Sequence, residues 1–179
     1  MDTTPIAPLT ADLRALGARL RPRIPEDGAF LREVYVESRW AETAVTGWPD
    51  AVRLAFLHQQ YELQTRHYDA HYYDAAYAVV EQHGQPVGKL YALLSAGDFR
   101  IVDIGLIPQA RGRGLGAALL KALVAQARDL GAYKVSIHVE RDNPARRLYQ
   151  RLGFIEVEDV APYWRLELAL AKVESPTPI

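Results

Sequence analysis

The chain has 179 residues, 49% hydrophobic and 24% charged, with a net charge of −1 and no cysteine. This is the mix of a soluble globular domain with a sizeable core. It excludes a disulfide framework, a thiolate nucleophile and a Cys-based metal site, and it argues against a surface dedicated to nucleic acid or anionic membrane.

Residues 1–17, with Pro5, Pro8 and a helical turn from Thr10, read as an N-terminal extension. The start "MDTTPIAPLTADL" lacks the basic-then-apolar pattern of a secretory signal, and no apolar run has the length of a membrane span, so a cytoplasmic protein is expected. Residues 18–171 read as one domain, and 172–179, "KVESPTPI", as a polar C-terminal tail. Within the domain "RLRPRI" is a short strand. A helix follows from Pro25, with Phe30, Leu31, Val34 and Tyr35 at helical spacing. A second helix is predicted over 51–67, with Val52, Phe56 and Leu63 among its inward residues. Three strands, "AAYAVVEQHG", "VGKLYALLSAG" and "FRIVDIGLI", are joined by short Gly-bearing turns and form antiparallel hairpins. A long helix begins near Gly114 and carries Leu119, Leu120, Leu123, Val124, Ala127 and Leu130 along one side, ending at Gly131. The strand "AYKVSIHVE", a short helix in "NPARRLYQRLG" and a last strand pair complete the chain. The order β-α-α-β-β-β-α-β-α-β-β requires one parallel neighbour in an otherwise antiparallel sheet. The expected fold is mixed α/β, a mostly antiparallel central sheet with helices on both faces.

The segment "IPQARGRGLGAALLKAL" places a proline, two arginines and three glycines directly before the long helix. Glycines without Cβ let a ligand approach the backbone, and the uncovered N–H groups and dipole of a helix start attract an anion. Arg111 and Arg113 can add charge and paired donors. A Walker-type loop is excluded, because no Gly-Lys-Ser/Thr follows. A dinucleotide fold is excluded too, because the loop follows a meander rather than a βα repeat. The two Arg-Gly pairs sit in a folded segment with no basic tract around them, which speaks against RNA.

"RGRGLG" resembles the Arg/Gln-x-x-Gly-x-Gly/Ala signature of the GNAT acyl-CoA N-acyltransferases through Arg111, Gly114 and Gly116. "VDIGLIPQA" resembles that family's fourth strand and Pro turn, and "NPARRLYQRLGF" its late motif, through Asn143, Tyr149, Gly153 and Phe154. The resemblance runs from about Leu20 to Leu170. It implies an acetyl-CoA-dependent N-acetyltransferase acting by direct transfer in a ternary complex, with acetyl-CoA as co-substrate and no metal. It implies that backbone amides of Arg111, Gly112, Arg113, Gly114, Leu115 and Gly116 hold the pyrophosphate. The pantetheine arm would pair with the fourth strand around Ile104, Leu106 and Ile107, with Asn143 assisting and Leu106 N–H serving the oxyanion. Tyr149 is the implied proton donor to the leaving thiolate, its alternative being a packed helix tyrosine. In this chain the spacing between Asn143 and Tyr149 is one residue shorter than in many members, so Asp142 competes with Asn143. Asp103, a lone carboxylate in "IVDIG", and His138 both stand as candidate bases, and Asp103 also fits a purely structural acid.

The acceptor, a small amine or amino acid or else a peptide amine, would meet Glu37, Trp40, Glu42 and Trp48, where an ammonium could sit between charge and aromatic faces. His67 and His71 at i, i+4 lack a third ligand, so no metal is expected. The competing class is an acyl-CoA-binding sensor or partner protein without turnover. The protein is expected as a monomer or homodimer, with "YWRLELAL" one candidate interface.

Overall fold

The computed structural model describes residues 7–171. Its helices are α1 (Ala11–Ala15), α2 (Gly28–Arg39), α3 (Asp50–His71), α4 (Leu115–Asp129) and α5 (Arg146–Arg151). Its strands are β1 (Ala18–Pro22), β2 (Ala76–Gln82), β3 (Gln85–Ser95), β4 (Asp98–Leu106), β5 (Lys134–Glu140), β6 (Ile155–Val160) and β7 (Tyr163–Ala169). One sheet orders them β1-β2-β3-β4-β5-β7-β6. Every neighbouring pair is antiparallel except β4 with β5.

That parallel pair is short. It runs from Asp98↔Lys134 to Ile101↔Ile137 and stops. At the same level the register of β4 against β3 slips, with Ala92 opposite Ile101 but Tyr91 opposite Asp103, so Val102 is an extra, bulged residue. A bulge bends its strand. Past Val102, β4 stays with β3 and leaves β5, and a gap opens in the middle of the sheet. The bulge also puts Arg100 and Asp103, three apart, on the same face.

α4 covers one face. Leu115, Leu119, Leu120, Leu123 and Ala127 are buried there against Phe99, Ile101, Val135, Ile137 and Leu166. The helix ends in a glycine cap: Gly131 takes φ 72, its N–H bonds Arg128 C=O at 2.9 Å, and Ala132 N–H bonds Ala127 C=O at 2.9 Å. α2 and α3 cover the other face, through Leu31, Val34, Tyr35 and Leu57.

Three expectations differ from the structure. Val52, Phe56 and Leu63 do not point inward but are 48%, 38% and 49% exposed, and Leu57 is the buried position of α3. The apolar residues of this helix lie on two sides, and the tyrosines Tyr61 and Tyr68 take the contact side instead, against Tyr35 and Tyr91. The helix runs on to His71, so His67 and His71 do stack, at 4.3 Å, and no cluster of three metal-ligating side chains forms among the described residues. Leu130 is a half-exposed cap rather than a core residue. The helical turn expected from Thr10 is present as α1, before β1. Thr10 Oγ1 accepts from Leu13 N–H at 3.3 Å, and Leu13 is fully buried in the main core, so the described part of the extension is packed against the domain. The tail, 172–179, lies outside the described residues.

Candidate active site

The glycine-rich turn sits at the end of β4, beside the gap. Gly112 and Gly114 have φ of 72 and 85, a region that side chains rarely enter, whereas Gly116 is ordinary helix. The first helical N–H with a backbone partner is that of Ala118, on Gly114 C=O at 3.0 Å. The N–H groups before it, and the dipole behind them, face outward with Arg113 exposed nearby. Such a cradle fits a phosphate group. Arg111 has a second commitment: its Nε donates to Leu106 C=O at 2.8 Å, tying the loop to the strand end.

Ile107 N–H bonds Val87 C=O at 2.9 Å, and Ile107 C=O accepts from Ala110. The N–H of Ile107 is therefore engaged with β3, and its carbonyl has one partner with a second lone pair to spare. Strand alternation then turns the N–H groups of Leu106 and Ile104 away from β3, toward the gap. Their side chains pack on the α4 face.

Tyr149 stands on α5 with its ring in the main core. This helix ends like α4, with Gly153 at φ 92, Gly153 N–H on Gln150 C=O and Phe154 N–H on Tyr149 C=O, each at 3.0 Å. The cap folds Phe154 back edge-on to the Tyr149 ring, 5.6 Å between centroids. Tyr149 is buried, and burial first, then the charge of Asp103, push its phenol well above the ordinary range. It is a neutral proton donor at physiological pH, within electrostatic reach of Asp103. Asn143 Oδ1 accepts from Ala145 N–H at 2.9 Å and so caps the approach to α5.

Asp103 faces α2 and α3. Its Oδ2 takes Lys89 Nζ at 2.5 Å and the Tyr68 hydroxyl at 3.3 Å. His138 lies on the same face of β5, but Arg100 Nη2 stands 2.9 Å from its Nδ1. A guanidinium can only donate, so Nδ1 accepts and the ring proton sits on Nε2. Burial, then Arg100 and Arg165, hold the imidazole below its usual range. Of the two candidate bases, only Asp103 keeps an oxygen without a partner among the described residues.

On the acceptor side, Arg39 joins Glu140 of β5 to Glu42, with Glu42 at 3.2 Å, and closes one wall of the gap. Trp40 does not present an open face, because Arg53 lies over its ring at 3.9 Å and donates to its carbonyl. Trp48 packs edge-on against Phe56, on the exposed side of α3. A cavity of about 350 Å³ lies at the other end of β4, lined by Tyr72, Asp98, Arg100 and Lys134 among others, and is remote from the glycine turn.

Lys89 and Arg100 escaped the sequence reading, which named Tyr68 only among the acceptor-side aromatics. A signal for the first did exist. "VGKLY" and "IVDIG" each carry one charge in an apolar strand, and the paired hairpin sets Lys89 opposite Gly105 and Asp103 opposite Tyr91, two rungs apart and on one face.

Comparison with known proteins points the same way. Residues 38–154 match the model of the acetyltransferase (GNAT) family. A mycothiol acetyltransferase of Saccharomonospora viridis is 38% identical over 45% of this chain and 23% of its own length. An uncharacterized N-acetyltransferase, YycN of Bacillus subtilis, is 43% identical over 34% of this chain and 39% of its own. Both matches thus span well under half of the relative. Among solved structures, the PaiA N-acetyltransferase of Thermoplasma acidophilum, in complex with coenzyme A, superposes with a TM-score of 0.66 at 18% identity, covering 86% of this chain and 99% of that one. An acetyltransferase of Thermus thermophilus gives 0.63 at 26% identity, covering 87% and 98%.

Proposed function

The chain belongs to the acetyltransferase (GNAT) family, and on that premise we propose that it moves an acetyl group from acetyl-CoA to a primary amine in a ternary complex. The observation that carries this reading is the gap between β4 and β5, with the uncovered N–H groups of Gly112 to Gly116 at its end and Asp103 and Tyr149 beside it. The cradle would hold the pyrophosphate, with Arg113 assisting, and Ile104 and Leu106 would pair with the pantetheine arm as an added strand. Bound acetyl-CoA supplies the acetyl group as a thioester.

The residues then divide the work. An alkyl ammonium has a pKa near 10.4 and must lose a proton before it can attack. Asp103 takes that proton. The amine nitrogen bonds to the thioester carbon, the N–H of Leu106 faces the oxyanion that develops, and the C–S bond breaks. Tyr149 gives its proton to the departing sulfur and recovers one from the nitrogen, which leaves an amide, a free thiol and one proton on Asp103 that passes to water. Asp103 is preferred to His138 because the His138 Nδ1 lone pair is already engaged. The acceptor is a small amine or a peptide amine, and the mycothiol acetyltransferase relatives favour the small molecule.

Calorimetry with acetyl-CoA, CoA and ATP, on wild type and on Gly114→Glu, tests the cradle. The reading expects acetyl-CoA and CoA to bind, and the variant to lose both while remaining folded, because the new carboxylate repels phosphate. Equal binding by the variant refutes the cradle. Binding without turnover across an amine library returns the chain to a sensor.

A further inference from the structure

Lys89 is the least exposed charged residue among those described. It stands in the middle of β3, is 5% exposed, and carries an ammonium into the face covered by α2 and α3. A buried ammonium is expensive unless it meets an anion. The fold makes room for that meeting. Gly105 lies opposite Lys89 across the β3–β4 ladder, and a Cβ there would stand 3.6 Å and 3.8 Å from the Lys89 stem and 3.3 Å from Val34. The missing side chain leaves the corridor through which the stem runs to Asp103. Tyr35 and Tyr91 flank the ammonium, with ring centroids 6.0 Å and 5.4 Å away. From a third element, α3, Tyr68 brings its hydroxyl to the same Oδ2 that Lys89 holds.

Two donors from two elements thus converge on one oxygen of Asp103. A carboxylate pinned through Oδ2 cannot turn freely, and its other oxygen keeps a fixed direction. Stability alone does not call for this arrangement, since apolar side chains of similar volume serve a sheet as well as or better than a buried ion pair. A base held ready costs no reorganisation when the proton moves.

We propose that Lys89 and Tyr68 are positioning residues, which fix the Asp103 carboxylate through Oδ2 so that Oδ1 receives the proton of the acceptor ammonium. This rests on the reading of Asp103 as the base. Neither residue touches substrate; both act through Asp103.

The test compares two amine probes with acetyl-CoA. Butylamine is protonated at neutral pH and needs the base. Hydroxylamine is already unprotonated there and does not. Wild type, Asp103→Asn, Lys89→Met and Tyr68→Phe are assayed for kcat and KM with each, and CoA binding by calorimetry confirms an intact cradle. Asp103→Asn and Lys89→Met are expected to lower kcat with butylamine by about 100-fold, the lower end of what a general base supplies, and with hydroxylamine by less than about threefold. Tyr68→Phe should show the same preference at about three- to tenfold. The Lys89→Met, Asp103→Asn double variant should be no slower than Asp103→Asn alone. If Lys89→Met slows both amines equally, the lysine is structural and the inference fails. If Lys89→Met does not fold, Tyr68→Phe, which removes only a hydroxyl, decides by the same ratio. If Asp103→Asn keeps its butylamine turnover, the base reading itself is wrong. Wild type that acetylates neither probe refutes the transfer reading, and this inference with it.

Discussion

Gly114→Ala and Gly116→Ala separate the two reasons for glycine in the loop. At Gly114 nothing stands within 4 Å of a built Cβ, so space is no obstacle, but φ is +85. Placing a non-glycine residue in that left-handed region costs about 1–2 kcal/mol. At Gly116 the backbone is helical, and a Cβ meets only Leu148 at 3.5 Å and Leu106 at 4.0 Å, ordinary contacts. There alanine should gain about 0.5–1 kcal/mol from a stiffer unfolded chain and a better helix former. In urea, at about 1–3 kcal/mol per molar, these shifts move the midpoint in opposite directions by several tenths of a molar. Calorimetry with CoA adds a second arm. Gly114→Ala turns N–H groups away from the phosphate, and losing one charge-assisted bond of about 1.5–3 kcal/mol weakens binding roughly tenfold or more. Gly116→Ala should leave CoA affinity within about twofold, because its Cβ meets the core side chains Leu148 and Leu106. A destabilised Gly116→Ala, or a Gly114→Ala indistinguishable from wild type in both assays, would falsify this account of the loop.

The other expectations concern the gap, the acid and the rim of the sheet. Gly88→Ala drives a Cβ onto Gly105 C=O, 2.6 Å from Leu106 Cδ2 and 3.2 Å from Leu106 Cα. Backbone cannot yield as a flexible side chain does, so a loss of about 3 kcal/mol, together with weaker CoA binding, is expected in urea unfolding and calorimetry. Tyr149→Phe keeps the ring contact with Phe154 but has no proton to give, so kcat should drop about 100-fold or more with CoA affinity unchanged, and an unchanged kcat would remove Tyr149 from the mechanism. Hydrogen bonds from Arg21 hold the carboxyls of Asp27 and Glu81 below their usual range. Folded protein therefore binds fewer protons there than unfolded chain, and this part of the stability is complete above the ordinary carboxylate range near pH 4 and is lost as pH falls through the depressed values. Arg21→Met should flatten that acid-side decline in melting temperature between about pH 5 and pH 2; an unaltered slope would contradict the assignment.

Local structure is written in neighbouring residues. Turn glycines, strand periodicity and the leucine stripe of α4 are encoded within a few residues, and the hairpins and helix caps follow from them. "RGRGLG" before that stripe already dictates uncovered N–H groups, whatever surrounds them. Tertiary structure decided which surfaces meet. α3 carries apolar residues on two sides, so only the docked sheet selects Leu57, Tyr61 and Tyr68 and leaves Phe56 and Leu63 to solvent. The N–H of Ile107 bonds β3 and its carbonyl a turn, which no strand pattern announces. Asp103 and His138 looked alike as isolated polar residues in apolar strands. Only the bulge at Val102, the cross-ladder reach of Lys89 over Gly105 and the approach of Arg100 from β4 made one a held carboxylate and the other an engaged imidazole. A single unpaired position in one strand sets which side chains share a face, and that depends on the partner strand as much as on the residue itself.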